Sequence, residues 1–142
     1  MMFSTHKILA LMLAVASLFT VPAAAAEAKI NRPAAQEIWA RTELYFGTNR
    51  DGGVISDAEF TLFMDSKITP RFPDGLTLLT GYGQFLNSKG VLEKERSKVL
   101  ILLYPVGTTD ANRRIQDIRE DFKKQYGQES VLRVDSYALV SF

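Results

Sequence analysis

No cysteine occurs in the 142 residues, and histidine occurs once, as His6. Tryptophan also occurs once, as Trp39. Without cysteine there is no disulfide, so a folded domain must rely on its hydrophobic core. There is also no thiol nucleophile and no acceptor for lipid attachment of the bacterial lipoprotein kind. No glycine-rich phosphate loop follows a strand pattern, which removes the usual nucleotide cradle.

The lone histidine falls in a segment that reads as an export signal. Lys7 and His6 form a short positive start, residues 8–21 are a run rich in Leu, Ala, Val and Met, and Pro22 with Ala24, Ala25 and Ala26 supplies a break and small residues for cleavage. The run falls short of the roughly 20 apolar residues that a spanning helix needs. The expectation is a signal peptide over residues 1–26, cut after Ala26 or Ala28, with no stable membrane insertion afterwards. The product is then secreted, or periplasmic in a Gram-negative cell.

Cleavage after Ala26 takes 26 of the 142 residues and leaves 116. It removes Lys7 from 17 basic side chains, so 16 face the 16 acidic ones and the net charge falls from +1 to zero. It also removes His6. The mature chain therefore excludes a Ser-His-Asp triad, a Cys-His pair and a zinc site of histidines or cysteines. Zero net charge leaves no basic footprint for nucleic acid. The length suits one domain, here residues 37–142, behind a flexible lead over 27–36.

The apolar pattern sets out the elements. Residues 39–46 alternate, which argues a strand. The Asn49 to Gly53 cluster then reads as a loop. Ser56 and Glu59 form a capping box, followed by Phe60, Phe63, Met64 and Ile68 at helical spacing. Pro70 and Pro73 stop that helix. Residues 76–86 and 91–104 read as two strands around a hairpin turn at Asn87 to Gly90. Thr109 is the expected cap of a second helix over 110–126, whose stripe is Ile115, Ile118, Phe122 and Tyr126, with Gly127 after its end. Residues 131–142 are the last strand. This order, βαββαβ, is the ferredoxin-like plan: an α+β domain with a four-stranded antiparallel sheet and two helices on one face, the first and third strands central.

Four blocks of the chain carry a resemblance. They are Arg41-Thr42-Glu43-Leu44-Tyr45-Phe46-Gly47, Thr69-Pro70-Arg71-Phe72-Pro73-Asp74-Gly75-Leu76-Thr77, Ser97-Lys98-Val99-Leu100-Ile101-Leu102, and Phe122 with Tyr126-Gly127-Gln128-Glu129-Ser130-Val131-Leu132. In that order they resemble the bacterial domain of unknown function 3574 family over nearly the whole mature chain. Phe85 departs from the family's pattern, which often carries Trp after the Gly-Gln pair. The resemblance implies a secreted bacterial protein and implies no activity.

Several residues are candidates for a site. On the first strand Trp39, Arg41, Glu43 and Tyr45 share one face. If Thr42, Leu44 and Phe46 pack under the helices, this set decorates the open face of the sheet. Tyr82 and Gln84 from the second strand, Lys98 from the third, and Arg133 and Asp135 from the fourth are expected to join it. Three readings stand side by side. Arg41 and Glu43 form a cross-strand ion-pair network that blunts an exposed sheet; or the face binds a small ligand, an envelope protein or a second copy as a homodimer; or Glu43 is a general acid or base of a cofactor-independent enzyme, with Arg41 holding an anionic group. The last meets an objection, since an adjacent Arg lowers a carboxylate pKa. A purely structural, envelope-associated protein is a further alternative.

Elsewhere the proline-rich stretch around Arg71 reads as a rigid crossover with Phe72 in the core, or with Arg71 as an anion anchor at the sheet edge. The basic residues of the second helix read as a solvated face, because Asp117, Glu120 and Asp121 interleave with them. The segment from Asn49 to Glu59 is similar to a calcium loop only at Asn49, Asp51 and Gly52. Its first and last ligand positions hold Gly47 and Ala58, so no metal and no cofactor are expected. The third strand offers aliphatics where an RNA-recognition fold needs stacking aromatics.

Overall fold

The computed structural model describes residues 35–142. The expected signal peptide and most of the lead, residues 1–34, lie outside the described residues. Strand β1 (Glu37–Gly47) leads into a short hairpin, β2 (Asn49–Arg50) and β3 (Gly53–Val54). Helix α1 (Asp57–Phe63) continues as a π-helical turn over Met64–Ile68. Strands β4 (Thr77–Leu86) and β5 (Leu92–Pro105) precede helix α2 (Ala111–Tyr126) and strand β6 (Leu132–Val140). The sheet order is β4-β5-β1-β6 with every neighbouring pair antiparallel. That is the ferredoxin-like order, with β1 and β5 central as the pattern predicts.

The alternation of β1 translates directly into burial. Thr42, Leu44 and Phe46 are fully buried. In antiparallel pairs the opposed residues share a face. Leu102, Leu100 and Lys98 stand opposite them on β5, so this is the helix side of the sheet. Phe60 and Phe63 of α1 and Ile115, Ile118, Phe122 and Tyr126 of α2 close the core over it. Phe46 and Phe122 meet edge-on at 4.6 Å between centroids, a favoured geometry for aromatic pairs.

Helix α1 begins where the capping box says it should. The Glu59 backbone N–H donates to Ser56 Oγ at 3.2 Å, and the Ser56 N–H donates to Glu59 Oε2 at 2.9 Å. Arg50 adds a 2.8 Å ion pair to Glu59 Oε1. These bonds, the Ser56 backbone N–H foremost, then the Ser56 hydroxyl and Arg50, pull the Glu59 carboxyl down to about 2. A carboxyl with a depressed folded-state pKa contributes stability that is complete above its unfolded value and is lost as pH falls through the folded one. Wild-type stability is expected to decline from pH 4.5 down to about 2, and Glu59→Gln is expected to flatten part of that slope in urea titrations. A parallel slope in the variant removes Glu59 as its source.

Two local expectations need correction. The Asn49 to Gly53 cluster is the β2–β3 hairpin rather than an open loop, turning at Gly52 with φ of 83°. Thr109 does not cap α2. The N-cap is Asp110, in a left-handed conformation with φ of 61° and no side-chain capping bond. Its carboxylate pairs with Arg113 instead, at 3.0 Å. Gly127 ends the helix in the left-handed conformation expected of it. The basic face of α2 is also less idle than its charge pattern suggests: Arg114 donates to the Arg71 carbonyl and Arg119 to the Val131 carbonyl.

Candidate functional site

The side of the sheet away from the helices carries a polar cluster in apolar surroundings. Arg41 contacts Glu43 Oε1 through Nε at 2.9 Å and through Nη2 at 2.7 Å. The Tyr45 hydroxyl donates to Glu43 Oε2 at 2.5 Å. Both carboxylate oxygens are thus engaged, although the Glu43 side chain is only 20% exposed. The Tyr45 bond first and the Arg41 bond second hold the Glu43 carboxyl below the usual carboxylate range. The same bond to Glu43 raises the Tyr45 phenol. The cluster therefore presents an ionised carboxylate at neutral pH, which suits a base or a counter-ion and not an acid.

Register supplies its neighbours. Val99, Ile101 and Leu103 of β5 stand opposite Tyr45, Glu43 and Arg41. Leu132, Val134 and Ser136 of β6 flank them on the other side. Leu79 of β4 lies opposite Val99. Leu103 is 39% and Val134 42% exposed. At the end of the row Trp39 donates to Glu37 at 2.9 Å and packs on Phe142 at 5.3 Å.

The co-facial set of β1 is therefore present, but its expected companions are not. Lys98 stands opposite Phe46 on the helix side. Its side chain is 7% exposed, and Nζ binds Asp57 Oδ1 at 2.7 Å and Thr80 Oγ1 at 2.9 Å. Gln84 stands opposite Lys94 and Tyr82 opposite Arg96, both on the Lys98 side of the pleat. Arg133 and Asp135 stand opposite Leu44 and Thr42, also on the helix side. The cause is the two-residue period: an offset of one residue moves a side chain to the other face. The run Val99 to Leu103 is apolar at every position, so its pattern does not say which set meets the helices.

Arg71 is no free anion anchor. Its Nη2 binds Asp121 Oδ2 of α2 at 2.9 Å and its Nη1 donates to the Lys67 carbonyl at 2.7 Å. It ties the end of the first helical segment to the second helix, while Phe72 is buried as the structural reading expects.

A second polar assembly lies on the helix side, along the β6 edge. Thr42 donates to Asp135 Oδ1 at 2.6 Å, and a hydroxyl has one proton, so Tyr104 is the donor in its 2.9 Å bond to Thr42. Arg133 pairs with Asp135 at 2.9 Å and donates to Asn112 Oδ1 at 2.7 Å. Beside it a hollow is lined by Asn112, Gln116, Arg119, Ser130 and Arg133 among others. The alternation of Arg133 and Asp135 is the one sequence signal for it.

Among the described residues no helix is long and apolar enough to cross a membrane, and no group of three or more acidic or histidine side chains could hold a metal ion.

Known structures share this fold. A phage SAM lyase in complex with S-methyl-5'-thioadenosine is 15% identical, with a TM-score of 0.56, over 80% of this chain and 96% of that one. A phage SAM lyase in the apo state is 15% identical, with a TM-score of 0.53, over 75% of this chain and 90% of that one. No curated protein matches the chain in sequence. The model of one family, described as protein of unknown function (DUF3574), matches residues 41–142, and the chain belongs to that family.

Proposed function

We propose that this protein is an exported binding domain that pairs with a second copy of itself through the open face of its sheet. The observation that carries the reading is the Arg41–Glu43–Tyr45 cluster set among Val99, Ile101, Leu103 and Val134 on the face the helices leave uncovered. Contiguous exposed apolar side chains around polar groups are the usual mark of a docking surface. The charges favour a copy of the same chain. In a two-fold interface each patch meets itself in reverse, so Arg41 of one copy comes opposite Glu43 of the other. The mature chain has zero net charge, which leaves no long-range repulsion between copies.

Sedimentation of the purified protein is expected to give twice the chain mass, and Arg41→Glu to return it to a monomer by setting carboxylate against carboxylate. A monomeric wild type at about 1 mM, the range of weak association, overturns the reading, and leaves a small ligand or an envelope protein as the occupant. The intact mass of the same preparation, made with its leader, is expected to lack residues 1–26 or 1–28.

A second reading has its own support. Glu43 is an ionised carboxylate beside the aromatic ring of Tyr45, a suitable counter-ion for a small organic cation, and the fold is shared with a phage SAM lyase, whose substrate is a sulfonium. In this reading the domain is a cofactor-independent enzyme that uses Glu43 and Arg41. Incubation with SAM and chromatography for S-methyl-5'-thioadenosine decides it: product that disappears in Glu43→Gln supports the enzyme, and no product removes SAM cleavage.

A further inference from the structure

The hollow beside β6 is lined mainly by polar side chains. It is a wide, solvent-open depression of about 560 Å³, so any ligand is held by its polar contacts and not by enclosure. Its walls come from α2 (Asn112, Gln116, Arg119) and from the approach to β6 and its start (Ser130, Arg133, Asp135), so rigid elements position most of the polar groups.

The chemistry follows from which atoms are already engaged. A guanidinium has donors only. Arg133 donates to Asn112 Oδ1 at 2.7 Å, and Arg119 donates to Gln116 Oε1 at 2.5 Å. Each arginine therefore fixes its amide with the oxygen turned towards it and the NH2 group left over. Among the described residues neither Asn112 Nδ2 nor Gln116 Nε2 donates to a protein acceptor, and neither does Arg133 Nη2 or the Ser130 hydroxyl. The hollow is thus lined by four side chains with donors to offer.

Its charge has the matching sign. The one carboxylate in the lining, Asp135, is already bound by Arg133 through Oδ2 at 2.9 Å and by the Thr42 hydroxyl through Oδ1 at 2.6 Å. Arg119 has only neutral partners there, Gln116 Oε1 and the Val131 carbonyl. One positive charge in the hollow is left without a counter-ion.

We infer that this hollow binds a small phosphate-bearing molecule. A carboxylate offers two oxygens, whereas a phosphate group offers more oxygens in a tetrahedral array, closer to the demand of four donor-bearing side chains from two elements. The site lies on the opposite face from the Arg41–Glu43 cluster and stands whether or not that cluster pairs two copies.

The test is an NMR titration of the purified protein with inorganic phosphate, with acetate as a separate arm. Phosphate is expected to shift the Asn112 and Gln116 side-chain NH2 signals and the backbone signals of residues 130–133 saturably, with Kd near 1 mM or below, a range typical of weak ligands. Acetate is expected to bind at least tenfold more weakly. Gln116→Glu replaces a donor by an acceptor and gives Arg119 its counter-ion, so phosphate binding is expected to fall at least tenfold. Gln116 is exposed, and an otherwise unchanged spectrum confirms that the variant is folded. Asn112→Asp is the second variant, for use if the first perturbs the fold. Shifts that fail to saturate, acetate binding as tightly as phosphate, or full binding in both folded variants would overturn the inference.

Discussion

Phe122→Ala is expected to destabilise the domain by about 3–5 kcal/mol, the cost of emptying an aromatic site in a packed core. Phe122 is fully buried at the centre of an aromatic cluster. Its ring lies 4.6 Å from Phe46, 4.9 Å from Tyr126, 5.2 Å from Phe63 and 5.8 Å from Phe60. Those partners come from β1, α1 and α2, so one truncation removes contacts that hold both helices on the sheet. Single domains are stable by only about 5–15 kcal/mol, so the variant is expected to lose a large share of its stability, with no disulfide to hold the chain. Phe142→Ala is the control. That ring is 95% exposed and packs on Trp39 alone among aromatic rings, so its removal is expected to move stability by no more than about 0.5 kcal/mol. Urea titrations of the two variants compare one residue type at two depths. Equal effects would mean that the cluster is not the core of the fold.

Lys98→Glu is expected to be as damaging, at about 3–5 kcal/mol, the range for a buried charge left without its partner. The ammonium is shielded between the sheet and the start of α1, where it meets Asp57 Oδ1 and Thr80 Oγ1. It is the first cause of the lowered Asp57 pKa, with Arg96 adding a weaker pull at 3.7 Å. A carboxylate in its place faces the Asp57 carboxylate with no cation between them. Lys98→Met separates charge from packing. It keeps the apolar stem, and Asp57 and Thr80 are both exposed enough to regain water, so a loss under about 1.5 kcal/mol is expected, as for a volume-conserving swap. If Met is as costly as Glu, the ammonium bonds and not the stem hold this corner together.

The helices were the legible part of the fold, for a local reason. Ser56 and Glu59 satisfy one another's backbone within a single turn, and the Ile115, Ile118, Phe122 and Tyr126 stripe has a polar opposite face, so residue spacing alone states where the first helix starts and which face the second one buries. The element order then restricts the chain to a few topologies, and the βαββαβ plan follows. On β1 the two faces differ in composition, so the grouping of Trp39, Arg41, Glu43 and Tyr45 was legible too.

The companions of that group were not. Lys98 adjoins a run that is apolar on both faces, and Gln84 lies in a hairpin that extends beyond β1. For both, the face depends on strand register, which the pairing of β4, β5 and β1 decides. Arg71 reads as a free cation until Asp121, 50 residues away in the chain, is placed beside it. The donor-lined hollow was hidden for the same reason. Its amides look like ordinary helix-surface residues until Arg119 and Arg133 are seen to hold their oxygens and leave their NH2 groups outward.

From residue order alone came the absence of cysteine and histidine from residues 27–142, the positions of the helices and the ferredoxin-like plan. Those depend on composition and on contacts within a few residues. Which charges stand alone, which are paired and which face each side chain takes were decided only by tertiary structure, because each depends on partners tens of residues apart brought together by strand register and helix docking.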